Sequence, residues 1–380
     1  MLEKGYQWVY LTFYVDLFIV FMVSAFKRTY PATLNDHGLI KEYRYSKVLG
    51  LLFCVPITII SACRTAFIDT GDYVLMFNYT APDFSTINDG VVGDVETGFI
   101  YFLAILKRIT LDPQILFIVT SVWIYFAFVK FMYENCIDVP FALLIFLCRM
   151  WTDSMNGLRQ YIVASVVCLV WTKWARSNKS LKNDLIMVLI IILCTQFHKS
   201  VLICAIIFLI TRGKFFNIGT KISMLGTVAL FTIPGLYNFL FDNLLASDNY
   251  SDYKDANAGM GIMRLLVNLV PVIFIIINRN KNKYDTENPD DITNWMMNIS
   301  LFSVCCSVMA MKMVYFARLN IYFDIFNVVL IPNLIEKNID GKIKLIIKPV
   351  AFCLYSIFFF YQMKAYGSYM SNQFDLSFLH

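Results

Sequence analysis

Charge is what this chain has little of. Asp, Glu, Lys and Arg together make up 16% of its 380 residues, where a soluble domain carries about 25%. Such a chain lacks the polar surface to cover a water-soluble domain of this length. Histidine is scarce as well, at three residues, with no second His at helical spacing, so no metal centre is expected. The ten cysteines are scattered, nearly all inside apolar runs, and no CxxC pair occurs. They read as small hydrophobes rather than as a disulfide framework or a metal site. A Gly-rich phosphate loop, an HExxH helix and a GxSxG turn are all missing, which leaves nucleotide-driven and serine-hydrolase chemistry without support. The net charge of +5 is modest and sits mostly in a few short loops, so nothing points to nucleic acid. No cofactor is expected.

What fills the chain is apolar: 58% hydrophobic residues and a mean hydropathy of +0.62. Apolar segments fall at about 6–26, 48–66, 97–110, 113–133, 139–150, 157–174, 185–197, 200–211, 220–241, 262–278, 294–312, 318–335 and 343–364, each a candidate membrane helix. Residues 5–26 lack a basic leader and an A-x-A site and read as the first span. The fold expected is one all-α integral membrane domain over 1–380, with about 11–13 transmembrane or re-entrant helices. The runs 139–150 and 200–211 are short for a perpendicular span and are candidates for re-entrant, interrupted or tilted elements.

Loop charge orients the chain. Basic residues mark 27–47 (Lys27, Arg28, Lys41, Arg44, Lys47), 173–184, 212–221, 279–283 and 337–348, assigned here to the cytoplasm. Residues 66–97 carry six carboxylates and no Lys or Arg; residues 242–260 carry four against one lysine. Both read as outer loops. The pattern closes with twelve crossings and both termini outside if 139–150 dips in and returns on one side. The polar, aromatic tail 365–380 is expected on the outer surface.

Against that frame some charges lie where they are costly, at the outward ends of spans: Arg64, Arg149, Arg159, Lys199, Arg264, Lys312 and Arg318. Arg64 closes the second span and is followed by Asp69 and Asp72. Glu96 precedes an apolar run and also suits a helix N-terminus. Asn156-Gly157 breaks a segment, and Arg159 and Gln160 then enter the membrane needing partners; Arg149 and Asp153 across the break are candidates. His198 stands with Gln196, Lys199 and Ser200 between two apolar runs. Lys312 and Arg318 flank a short turn leading to Tyr322. Converging guanidinium groups suit a phosphate ligand, because Arg stays charged and binds bidentately. The outward ends are therefore expected to line one extracytoplasmic-facing cavity for an anionic ligand.

These pieces carry a resemblance. Arg64 with Asp69-Thr70 and Tyr73, Glu96-x-Gly98-Phe99, Gly157-Leu158-Arg159-Gln160, Phe197-His198-Lys199-Ser200 and Arg318-x3-Tyr322-Phe323 occur in an order that resembles the EpsG family of Wzy-like polysaccharide polymerases, from about residue 60 to 335. The resemblance implies a membrane glycosyltransferase that joins polyprenyl-diphosphate-linked oligosaccharide repeats into capsule, exopolysaccharide or O-antigen. It implies a bacterial cytoplasmic membrane, and as partners the lipid-linked oligosaccharide, the bilayer, a chain-length regulator and other assembly proteins. Arg64, Arg149, Arg159, Gln160, Lys199, Lys312, Arg318 and Tyr322 are then expected at the diphosphate and substrate. Glu96, His198, Asp69 or Asp72 is expected to supply the base, without a metal. A lipid-linked glycan flippase or exporter and a glycan-modifying membrane acyltransferase are the competing readings.

Overall fold

The computed structural model describes residues 6–34, 40–84, 95–233, 235–236, 261–279, 288, 290–312, 315–367 and 373–374. Helices dominate: α1 Tyr6–Ala25, α2 Lys47–Ala62, α3 Thr70–Tyr79, α4 Thr97–Ile109, α5 Gln114–Asn135, α6 Val139–Arg149, α7 Leu158–Arg176, α8 Leu181–Cys194, α9 Leu202–Thr211, α10 Ile218–Thr232, α11 Ile262–Arg279, α12 Ile292–Ala310, α13 Tyr315–Leu319, α14 Asp324–Asn338 and α15 Gly341–Gly367. Four of the described helices alone are long and apolar enough to span a bilayer: Gln7–Ala25, Gln114–Asn135, Ile292–Ala310 and Gly341–Ala365. A fifth span forms if the pair Phe316–Tyr322 and Asp324–Lys337, bent by 60°, is counted as one. The expected all-α membrane architecture is what the chain adopts, as a multi-pass membrane protein.

The bundle has two ends. At the lower end, Tyr133 donates to Ser46 O (2.8 Å), Asn333 Nδ2 to Asn135 O (2.9 Å) and Trp174 Nε1 to Asp184 (2.7 Å). Ion pairs Arg212–Asp184 (2.7 Å) and Lys348–Asp138 (2.5 Å) sit there too. At the upper end, Gln114 Nε2 donates to Ala62 O, and Trp151 Nε1 to Ser61 Oγ (3.2 Å). The described residues of the basic segments 27–47, 173–184 and 337–348 lie at the lower end. The first is a hairpin of β1 Arg28–Leu34 and β2 Ile40–Arg44. Between the ends an aromatic core joins four helices: Phe326 lies 4.9 Å from Trp171, 5.2 Å from Phe131 and 5.8 Å from Phe208.

Two expectations are corrected. The run 139–150 does not dip and return. As α6 it starts at Asp138, paired with Lys348 at the lower end, and finishes beside Trp151 at the upper end. Its brevity is tolerated because every residue of it is buried in protein. The element that stays at one end is α4, over the expected crossing 97–110. It begins beside Gln196 and ends five residues before Gln114, both at the upper end. There it packs on α3, which lies inside the acidic stretch 66–97 and was not expected. Lys107 Nζ donates to the carbonyls of Phe77 (3.1 Å), Asn78 (2.6 Å) and Thr80 (2.8 Å), and Arg108 Nε to Pro82 O (2.8 Å). A cation thus closes the C-terminus of α3. The acidic run 242–260, and Asp89 and Asp94 of the first acidic run, lie outside the described residues. So does most of the tail, although β4 Gln373–Phe374 pairs with β3 Arg64–Ala66 at the upper end.

Candidate functional site

The upper end gathers side chains from five separate stretches of sequence, and local backbone features place each of them. Ile68 adopts φ 47, a left-handed conformation costly for a β-branched residue. It turns the chain after β3 so that Asp69 starts α3. One helical turn on, Tyr73 shares its face. Gly157 sits at φ 68 before α7, which suits glycine and strains any other residue. Its N–H donates to Asp69 Oδ2 (2.6 Å), and the N–H of Arg159 donates to the Tyr73 hydroxyl (3.3 Å). The first turn of α3 and the first turn of α7 are thereby stitched together.

Glu96 joins a third stretch. One of its oxygens pairs with Arg159 Nη1, and the other accepts the backbone N–H of Lys199 (3.0 Å). The next residues explain the Glu-x-Gly-Phe spacing. Phe99 N–H reaches Gln196 O (3.0 Å), and a Cβ on Gly98 would stand 2.6 Å from Gln196 Cβ. Only glycine admits this approach of α4 to the chain leaving α8. Arg159 also stands over the Phe99 ring, 5.8 Å from its centroid, and Phe99 packs on Tyr73 and Phe197.

His198 is buried at the step from α8 to α9. Its Nδ1 faces Ser200 Oγ (2.9 Å) and Ser200 N–H (3.4 Å), and Ser200 Oγ meets the Tyr322 hydroxyl at 2.8 Å. Tyr322 itself is 0% exposed. The Arg159 and Arg318 charges both reach this imidazole and, after burial, help press its pKa down to about 3. The Arg318 charge also reaches Asp69. Hence α13, α7, α8 and the turn before α3 meet in one cluster.

Three groups in the cluster are incompletely bonded. Arg64 is buried; Nη1 donates to Ser61 O and the guanidinium lies 4.4 Å from the Phe117 centroid. Its Nε and Nη2 have no hydrogen-bond partner among the described residues. The same holds for Asp69 Oδ1 and Arg159 Nε. Burial raises Asp69 to about 6, against the opposing pull of the Gly157 N–H, Arg64 and Arg318.

Not every sequence candidate joins. Asp72 is exposed on α3 and takes no part in the cluster. Lys199 and Lys312 have exposed side chains at this end. Gln160 is buried behind Gly157, whose Cβ position lies 3.2 Å from its Oε1. Arg149 belongs to a second polar group. There it pairs with Asp324 (2.5 Å) and bonds Asn268, while Arg264 pairs with Asp153 (2.8 Å). Tyr73 and Ser200, present in the sequence pieces but not expected among the site residues, are partners in the cluster. The spacings that point to them are one helical turn from Asp69 and two residues from His198. Among the described residues no group of three His, Cys, Asp or Glu could hold a metal ion.

The arrangement can grip an anion between fixed guanidinium groups, with a carboxylate of raised pKa beside them. No curated protein and no solved structure matches the chain. A family model does, described as the EpsG family, over residues 47–374. That span takes in every element from α2 to β4 and every residue of the cluster. The chain belongs to the EpsG family, whose members are Wzy-like polysaccharide polymerases of the membrane.

Proposed function

We propose that the chain joins lipid-linked oligosaccharide repeats into a capsule, exopolysaccharide or O-antigen chain. The reaction takes place at the outer face of a bacterial cytoplasmic membrane. The observation that carries this reading is a cluster at the upper end in which buried guanidinium atoms, Arg64 Nε and Nη2 and Arg159 Nε, have no hydrogen-bond partner among the described residues and lie with Arg318 beside Asp69 and Glu96. That end is opposite the basic loops, which the positive-inside bias assigns to the cytoplasm.

In the reaction, the acceptor sugar's hydroxyl oxygen forms a bond to the anomeric carbon of the growing glycan. The bond from that carbon to the phosphate oxygen breaks. Polyprenyl diphosphate leaves with the electron pair, and the hydroxyl proton passes to a carboxylate. Arg159 and Arg318 stabilise the charge developing on the diphosphate without calling on a metal, with Arg64 behind them. Asp69 is the carboxylate favoured here, because Oδ1 is uncommitted and its pKa near 6 suits a base at neutral pH. Glu96 has both oxygens occupied and acts by holding Arg159 in place.

The lipid intermediates of cells lacking the protein test the reading. Single repeats on lipid at the outer face are the expected result. Repeats trapped at the inner face would mean a flippase, and full-length polymer lacking a substituent would mean a modifying acyltransferase.

A further inference from the structure

His198 is a buried imidazole that both a base and a structural role would claim. Its surroundings decide between them. The backbone N–H of Ser200 points at Nδ1 (3.4 Å) and has no freedom to turn away. By accepting it, the His198 side chain caps the short 3-10 turn Lys199–Val201, of which it is the N-cap. A proton on Nδ1 would be set against that fixed N–H. Nδ1 is therefore the acceptor, the Ser200 hydroxyl donates to it (2.9 Å), and Tyr322 donates to Ser200 Oγ (2.8 Å). Tyr322 also stands 3.4 Å from Nδ1. A neutral ring with Nδ1 bare carries its proton on Nε2. An imidazolium is opposed twice, by the Ser200 N–H on one ring nitrogen and by the charges of Arg159 on α7 and Arg318 on α13. Among the described residues, the carboxylate of this loop contact is Glu96, committed to Arg159 and to the Lys199 N–H.

We propose that His198 serves the site as a neutral hydrogen-bond donor through Nε2–H, fixed in that tautomer by Ser200 and Tyr322, and not as the base. Nε2 takes no partner among the described residues. With Arg159 and Arg318 around the ring, the acceptor it suits is a phosphate oxygen of the leaving diphosphate. This deepens the polymerase reading and rests on it for the ligand, but not for the tautomer. Ser200 and Tyr322 are positioning residues: they act through the ring.

The full-length protein, labelled with nitrogen-15 at histidine and held in lipid nanodiscs, gives the direct test. The three histidines are His37, His198 and His380, and His198→Gln identifies the relevant ring. Long-range proton–nitrogen correlation should show Nε2 protonated and Nδ1 bare, unchanged from about pH 8 to about pH 5, where a free imidazole would charge. A proton on Nδ1, or an imidazolium at about pH 6, overturns the proposal whatever the protein polymerises. Activity gives a second readout. A glutamine amide places its N–H near the position of Nε2, an asparagine amide near Nδ1. His198→Gln should keep about tenfold more turnover than His198→Asn at matched protein level. Ser200→Thr and Ser200→Ala both keep the backbone N–H and should both retain the tautomer, Ser200→Ala with lower turnover because the ring loses its hydroxyl contact. Equal loss in the Gln and Asn variants counts against the proposal. Absence of any polymerase activity in the wild type, with the tautomer as stated, would instead strike the polymerase reading alone.

Discussion

Two polar groups lie inside this bundle, and they solve the cost of buried charge differently. In the first, Arg149 has Asp324 and Arg264 has Asp153; Asn268, Ser307, Asn320 and Ser303 continue the network by hydrogen bonds of 2.7–3.2 Å. Both guanidinium groups there have a carboxylate, and Arg149 Nη1 lacks a hydrogen-bond partner among the described residues. In the second, among the described residues, Arg64, Arg159 and Arg318 lie with Asp69 and Glu96, and Arg64 Nε and Nη2, Arg159 Nε and Asp69 Oδ1 have no hydrogen-bond partner. The hairpin through α13 separates the two. Ala317 and Asn320 line the small cavity of the paired group, while Arg318 and Tyr322 belong to the other. A balanced set is a tie between helices. An unbalanced set held rigidly in protein is a place prepared for a ligand that brings the missing charge.

Substitutions at the unbalanced set should break the comparison hardest. Arg159→Lys keeps the charge but loses the planar fork. Together with Arg318→Ala, it should lower polymer synthesis by about 100-fold or more, since preorganised donors at a leaving group contribute that much. Synthesis assayed on membranes at matched protein level checks this; near-normal polymer from the Lys variant would reduce Arg159 to a packing role.

Asp69→Asn should cost about 100-fold or more if that carboxylate takes the proton. A base works deprotonated, so with Asp69 near 6 wild-type turnover should fall as pH drops through that value and level off above it. A profile flat across that range would move the base elsewhere.

Glu96→Gln should cost less, about tenfold, because a neutral amide still bonds Arg159 but no longer holds it as an ion pair. A loss as deep as that of Asp69→Asn would restore Glu96 as the base.

The smallest effect on turnover belongs to the balanced group. Arg149→Ala alone leaves Asp324 uncompensated and should cost about 3–5 kcal/mol of stability. Arg149→Met with Asp324→Leu removes both charges and should recover thermal stability while polymer synthesis stays near the wild-type level. If the double variant folds but is inactive, the two groups are not separate in function.

The sequence already showed nearly every helix, because hydropathy alone locates a segment that must bury its backbone. It did not show which segment stays at one end. The run 97–110 is as apolar as a short span, and only its clasp on α3, through Lys107 and the carbonyls after Phe77, reveals that it lies at the upper end. Nor did it separate Asp69 from Asp72, which stand three residues apart. The unusual φ at Ile68 and the Gly157 N–H choose Asp69, and both depend on chain segments nearly ninety residues apart meeting. The pairing of Arg149 with Asp324 is equally nonlocal. Charge position suggested that Arg149 joined the other arginines, and only the fold shows the carboxylate that satisfies it.

The account rests on the claim that the unbalanced cluster performs the transfer and the balanced one does not. The most direct measurement expresses two variants side by side in cells lacking the wild-type protein, Arg159→Lys and the Arg149→Met, Asp324→Leu pair, and analyses polymer length together with lipid-linked repeats at the outer face. The account predicts single lipid-linked repeats accumulating outside with Arg159→Lys and long polymer with the pair. Long polymer from Arg159→Lys, with single repeats from a stably folded pair variant, would contradict it.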